Sequence, residues 1–297
     1  MPSTLTETDL RYCDACDDEF DYEQFGWCCD SCSAVFCDDC SSCNNCAEVS
    51  DDVRPYDYRP PSFRPKGNYP GEVLFGVELE VGGQESRIVD VVQTYDPSED
   101  HLYMKHDGSI DGVEIVTHPM TLAWARQYPF ENLLAGLRAQ GCDVGDEYGL
   151  HIHVSRNAFR RHGRQSCAHQ MMWLLFMYRN VDDLTLLARR ESDKWASFTA
   201  PMPGELARKA TEVDNGARYV AVNCRNEKTF ELRFFAATLD AREFLAALEF
   251  ADASVQYTQD LRMSDVLGGG ALTWSHFAEW LETRNYPNLS AEIEFAS

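Results

Sequence analysis

Three short segments of this chain each set two ligand-capable side chains two residues apart in an otherwise apolar run. They are Phe75-Gly76-Val77-Glu78-Leu79-Glu80-Val81, Gly149-Leu150-His151-Ile152-His153-Val154 and Thr229-Phe230-Glu231-Leu232-Arg233-Phe234. Side chains alternate across a strand, so residues two apart share a face. Each segment therefore reads as a strand with one hydrophobic face and one face carrying Glu/Glu, His/His or Glu/Arg. One such strand is an ordinary solvated sheet face. Three with this chemistry point to a sheet whose polar face gathers metal ligands and phosphate-binding groups. Taken one by one, the same residues read as solvated acids, core or surface histidines and a surface ion pair.

The chain has 297 residues, which suits one large domain and a small one. No apolar run is long enough for a bilayer helix, and Met1 leads into polar Thr, Glu and Asp rather than a signal peptide. The expectation is a soluble, intracellular, cytoplasmic protein with no membrane partner. Formal net charge is -23, which argues against non-specific nucleic-acid binding because that needs clustered Lys and Arg. Residues 1–52 hold fourteen Asp and Glu against one Arg, so this stretch reads as a separate unit. Nine of the twelve Cys also lie there, between Cys13 and Cys46. Residues 53–71 contain Pro55, Pro60, Pro61, Pro65 and Pro70 and read as a semi-rigid linker. The division expected is thus 1–52, a linker over 53–71, and a body over 72–297.

Within the body, strands are expected over 73–81, 111–118 and 149–155, and a hairpin over 218–224 and 228–236. The second strand follows the turn signal Asp107-Gly108-Ser109. Helices are expected over 122–140 with Gly141 as the stop, over 165–190 as a buried helix, over 240–261 from a capping-box-like Asp240/Glu243, and over 274–283. Strands and helices do not alternate regularly. The class expected is α+β with a mainly antiparallel sheet. Gly268-Gly269-Gly270 lacks the Lys and Ser/Thr of a phosphate loop and reads as a connector.

The cysteines of the first unit fall into pairs with two residues between: Cys13/Cys16, Cys29/Cys32, Cys37/Cys40 and Cys43/Cys46. Cys28 is a ninth thiol, so Cys28 or Cys29 supplies the second pair. Thiolates bind Zn²⁺ tetrahedrally, two pairs to a closed site, so the spacing points to two structural Zn²⁺. A disulfide framework is the rival and needs an oxidising compartment. So short a segment cannot build a sufficient core without metal. The order of pairs resembles cross-brace modules of the RING and ZZ type, although no His ligand is present and the last spacer is short. That resemblance implies protein recruitment rather than chemistry.

The body's acids, Glu78, Glu80, Glu114 and Glu231, are hard oxygen ligands suited to Mg²⁺ or Mn²⁺. Arg233 suits a phosphate or carboxylate, and His151 and His153 suit a metal, a phosphate or a carboxylate. Such a set points to phosphoryl transfer from a nucleotide, where the protein mainly positions groups and neutralises charge. Four stretches then carry a family resemblance in order. They are Phe75 to Val81; Asp107-Gly108-Ser109 with Gly112-Val113-Glu114-Ile115-Val116-Thr117-His118-Pro119; Gly149 to Val154; and Arg218-Tyr219 with Asn223 leading to Thr229-Phe230-Glu231-Leu232-Arg233. Over roughly 72–260 the body resembles the amidoligase family of carboxylate–amine ligases, which have a glutamine synthetase-like fold.

The resemblance implies ATP-dependent activation of a carboxylate as an acyl phosphate, then attack by an amine to form an amide or isopeptide bond. It implies Glu78, Glu80 and Glu114 as metal ligands, and Glu231 as a further one. His153, with His151 beside it, would contact metal or nucleotide phosphate, and Arg233 the transferring phosphoryl group. Arg218 and Asn223 would contact nucleotide or substrate. Arg190, in Arg189-Arg190-Glu191-Ser192, resembles a family arginine at the end of the long helix. No motif residue is replaced. Two other readings stay open: an interaction adaptor whose body binds nucleotide without turnover, and a metal-dependent hydrolase using the His pair.

Overall fold

The computed structural model describes residues 10–13, 19–22, 26–28, 35–38, 52–67, 71–108, 110–145, 147–161, 164–192, 194, 196–199, 203–211, 219–267 and 270–296. The chain divides into two compact units, Met1–Val53 and Arg54–Ser297. In the first, β1 (Leu10–Tyr12) pairs antiparallel with β2 (Glu19–Asp21), and β3 (Gly26–Cys28) with β4 (Val35–Cys37). Phe36, Cys13 and Cys37 are buried, and Cys28 is exposed. Cys16, Cys29, Cys32, Cys40, Cys43 and Cys46 lie outside the described residues, and with them the expected zinc sites.

The second unit is α+β, a sheet with packed helices. Its strands are β6 (Phe75–Gly82), β7 (Leu102–Lys105), β8 (Gly112–Thr117), β9 (Gly149–Ser155), β12 (Val222–Asn223) and β13 (Thr229–Ala236), with β5 (Val53–Arg54) at one edge. The two-residue strands β10 (Arg160–Arg161) and β11 (Arg164–Gln165) pair with each other. Among the described residues the main sheet runs β12-β13-β9-β6-β8-β7-β5. The pairs β12–β13, β13–β9, β9–β6, β6–β8 and β8–β7 are all antiparallel, as expected.

Alternation sorts the two faces. Val77, Leu79 and Val81 stand opposite Ile152, Leu150, Ile115 and Val113, while Phe230 and Leu232 stand opposite Val154 and Ile152. All are buried. Helix α3 (Phe130–Ala139) and helix α7 (Ala241–Asp260) bring Phe130, Leu133, Leu134 and Phe244 against Val77, Leu79 and Ile115. Helix α4 (Cys167–Arg179) adds Trp173, whose ring lies 5.2 Å from that of Phe230. Burying each such side chain contributes about 1.5–3 kcal/mol, so this face fixes the register and leaves the other face to polar groups.

Two expected long helices are each broken. Residues 122–140 form α2 (Leu122–Ala125) and α3, because Pro129 cannot continue a helix and instead precedes the second. Residues 165–190 form α4 and α5 (Val181–Ala188), parted at buried Asn180. Its amide donates to the carbonyls of Phe176 (2.7 Å) and Leu272 (3.0 Å). The start of α7 is capped as expected on one side only. Asp240 accepts from the N–H groups of Arg242 and Glu243, while Glu243 accepts from the Thr238 hydroxyl. Helices α1 (Glu85–Tyr95), α6 (Pro203–Thr211), α8 (Met263–Leu267) and α10 (Pro287–Ala296) were not expected, whereas α9 (Trp274–Leu281) was. Among the described residues no helix is long and apolar enough to cross a membrane.

Buried Glu249 ties α10 to α7. Its carboxylate meets Arg126 Nη2 at 2.7 Å, Asn288 Nδ2 at 2.9 Å and the Leu289 N–H at 2.9 Å. A buried charge survives only when so satisfied.

Candidate functional site

Directly paired residues of adjacent strands point to the same side of a sheet with Cβ atoms about 5 Å apart. The register therefore builds the polar face in rows. One row runs Asn223, Glu231, His153 and Gly76. The next runs His151, Glu78, Val116 and Tyr103. The third runs Glu80, Glu114 and Lys105. Between Leu232 and Phe235 the register of β13 slips against β9, so Arg233 and Phe234 both stand opposite His151. Arg233 reaches the second row by regular alternation, and the bulge places Phe235 opposite Leu150 on the apolar side that Leu232 occupies.

Glu78 is the hub. Its Oε1 lies 3.3 Å from His153 Nε2 and 3.8 Å from Lys105 Nζ, and its Oε2 lies 3.6 Å from His151 Nδ1. His151 Nε2 lies 3.8 Å from Glu80, and His151 Nδ1 lies 3.8 Å from Glu231. Glu80 Oε2 accepts the Gly149 N–H at 2.5 Å. Lys105 Nζ meets Glu114 Oε2 at 2.7 Å. Asn223 Nδ2 donates to Glu231 Oε2 at 2.7 Å, and Arg233 Nη1 donates to Glu231 Oε1. His153 Nδ1 and Thr229 Oγ1 are 3.1 Å apart. Arg190, at the end of α5, reaches in from above β9: a Cβ built on Gly149 would sit 2.5 Å from Arg190 Nη1 and 2.8 Å from His151 Nε2. Only glycine leaves that space.

The charges act on one another. Burial pushes the Glu78 carboxyl up, but His153, the nearby His151 and Lys105 together hold it well below the usual range. Burial, and after it the Glu78 charge, pushes Glu114 well above that range. Burial opposes the charge on His153, yet Glu78 and the other carboxylates raise it to about 9. Lys105 is raised by Glu78 and Glu114 against its burial. Burial opposes ionisation of Glu231, and His153 and Arg233 overcome it and lower its pKa. Burial depresses the Arg190 guanidinium, and Arg233 adds to that; Glu80 opposes both.

Two sets of ligand atoms converge, each within 4.8 Å of one another: Glu78, His151 and Glu231, and Glu80, Glu114 and His151. Carboxylate oxygen with imidazole nitrogen fits Mg²⁺, Mn²⁺ or Zn²⁺. A neutral imidazole has one lone pair, so His151 can ligate in one set and must offer N–H to the carboxylates of the other. His151 Nδ1 is buried, stands 3.6 Å from Glu78 and 3.8 Å from Glu231, and makes no close hydrogen bond among the described residues. Arg190 Nε and Arg233 Nε are also buried and make none among them. The His151 nitrogen lies among carboxylates and suits a cation. The two arginine nitrogens are donors only and suit an anion.

The structure thus gathers Glu78, Glu80, Glu114, His151, His153, Asn223, Glu231, Arg233 and Arg190 on one face. Arg218 lies outside the described residues. Sequence reasoning missed Lys105, although Tyr103 and Lys105 stand two apart just before the Asp107-Gly108 turn, the same spacing as in the other strands. It also missed Gly149 as the floor under Arg190.

No protein-family model and no curated protein matches the chain. Among solved structures it is similar to one described as the complex between prokaryotic ubiquitin-like protein Pup and its ligase PafA, at 11% identity and a TM-score of 0.30. The match covers 76% of this chain, and the chain spans 62% of the length of that one.

Proposed function

We propose that this chain is an ATP- and Mg²⁺-dependent carboxylate–amine ligase with a glutamine synthetase-like body. The observation that carries the reading is the pairing, on one buried sheet face, of a carboxylate–imidazole cluster with two arginine Nε groups that make no hydrogen bond among the described residues. A nucleotide triphosphate with its divalent ion is the ligand that needs both at once. Glu78, Glu231 and His151, or Glu80, Glu114 and His151, would hold the ion, which when bound neutralises phosphate charge. Arg233 and Arg190 would bind the phosphoryl oxygens, and Asn223 holds Glu231. In the reaction a substrate carboxylate oxygen attacks the γ-phosphorus and ADP leaves. The amine nitrogen then attacks the acyl carbon, phosphate leaves, and the nitrogen gives up a proton. The ordered motifs that resemble those of amidoligases support the same reading. The cysteine pairs of residues 13–46 support a dizinc module that recruits a protein substrate or partner, in a cytoplasmic setting.

The test is ADP release by the purified chain supplied with pools of carboxylates and amines. Release that needs Mg²⁺, a carboxylate and an amine together, and that Arg233→Ala abolishes, is expected. ATP binding without turnover favours the adaptor, and bond cleavage without ATP favours the hydrolase.

A further inference from the structure

Arg190 carries a buried charge at the site, yet little holds its head. Its Nη1 stands 3.4 and 3.5 Å from the carbonyl oxygens of Arg233 and Phe235, and its Nη2 stands 3.5 Å from that of Glu147. Hydrogen bonds that long are weak. Its Nε makes none among the described residues. Something else must set the side chain.

The preceding residue is built for that. Arg189 ends α5 in the left-handed region, with φ 53° and ψ 25°, and its N–H donates to the Leu186 carbonyl. A residue other than glycine is strained there unless its surroundings hold it. They do. Arg189 Nη1 meets Glu292 Oε2 at 2.9 Å, and Nη2 meets Glu243 Oε2 at 3.2 Å. Glu292 is buried on α10, with its other oxygen 2.9 Å from Arg242 Nε. The left-handed turn sends Arg189 to this acidic grip and Arg190 back over the sheet.

We propose that Glu292 of the C-terminal helix, acting through Arg189, is a positioning residue for Arg190. The helix that closes the fold thereby sets the anion-binding arginine of the site. The inference rests on the reading of Arg190 as an anion ligand. The tolerance is small, because Arg190 Nη1 and His151 Nε2 share the space above Gly149. A displacement of about 1 Å at such a place costs on the order of a hundredfold in rate.

Two variants test it in the full chain. Arg189→Gly keeps the left-handed turn without strain and removes the guanidinium. Glu292→Gln keeps the shape of the helix side chain and removes the charge. The first readout is solvent exchange of the Arg190 Nε–H, followed by NMR with ¹⁵N-arginine and assigned by its loss in Arg190→Lys. Exchange should quicken by about tenfold or more in both variants while both remain folded. The second readout is the Kd for Mg²⁺·ADP. It should rise by about tenfold in both, and by less than about twofold when Arg190→Ala is already present. Unchanged exchange in both variants overturns the proposal, and so does equal weakening of binding with and without Arg190. If the parent chain binds no Mg²⁺·ADP, the ligase reading fails, and the exchange measurement still decides whether Glu292 sets Arg190.

Discussion

Replacing His153 by Gln puts a number on the electrostatics of the polar face. The imidazole is raised to about 9 by Glu78 and its neighbours, against an ordinary value of 6.5. A raised pKa means that the folded protein holds a proton the unfolded chain has released. The stabilisation is therefore fully present below pH 6.5 and is lost as pH rises through about 9. A shift of that size corresponds to about 3 kcal/mol at 1.36 kcal/mol per unit, counted once for the His153–Glu78 pair. The assay is urea unfolding of the full chain from pH 6 to 9.5 without added divalent ions, followed by tryptophan fluorescence, since five of the six Trp lie beyond residue 53. Gln retains a polar partner for Thr229 but cannot take up a proton. The stability difference between parent and His153→Gln should shrink by about 3 kcal/mol across that range. A difference flat to within about 0.5 kcal/mol, the usual limit of additivity for uncoupled sites, would refute the assigned charge on His153.

Lys105→Met removes the cation that now sits on Glu114. It should lower stability without divalent ions and tighten Mn²⁺ binding by about tenfold, read by isothermal titration, because the ion no longer competes with an ammonium. Gly149→Ala places a Cβ against Arg190 and His151, so turnover should fall by about a hundredfold while the urea midpoint moves little. Equal loss of stability and turnover would mean that Gly149 serves the backbone alone.

The strands of the site were legible because one buried face per strand enforces a two-residue period, and Glu78/Glu80, His151/His153 and Glu231/Arg233 keep it. The antiparallel class followed from short strands without regular crossover helices. Lys105 escaped because a strand of four residues with one charge gives too little alternation to stand out from a connector. The bulge at Arg233 and Phe234 left no mark, since Arg233 keeps its face and only the partner strand reveals the extra residue. A single helix over 122–140 would run through Pro129, whose missing N–H ends one helix and opens the next. Arg189, Glu243 and Glu292 could not be joined in advance, because their ion pairs link residues far apart in the chain and depend on how α5, α7 and α10 pack.

The central claim is that the acidic face binds a divalent ion together with a nucleotide. The most direct measurement is an electron paramagnetic resonance titration of free Mn²⁺ with the full chain and a non-hydrolysable ATP analogue, parent against Glu80→Gln and Arg233→Ala. The account predicts nucleotide-dependent uptake of Mn²⁺ by the parent, weakened by about tenfold or more in Glu80→Gln, with the nucleotide dependence lost in Arg233→Ala. Uptake equal in all three chains, or none in the parent, would contradict it.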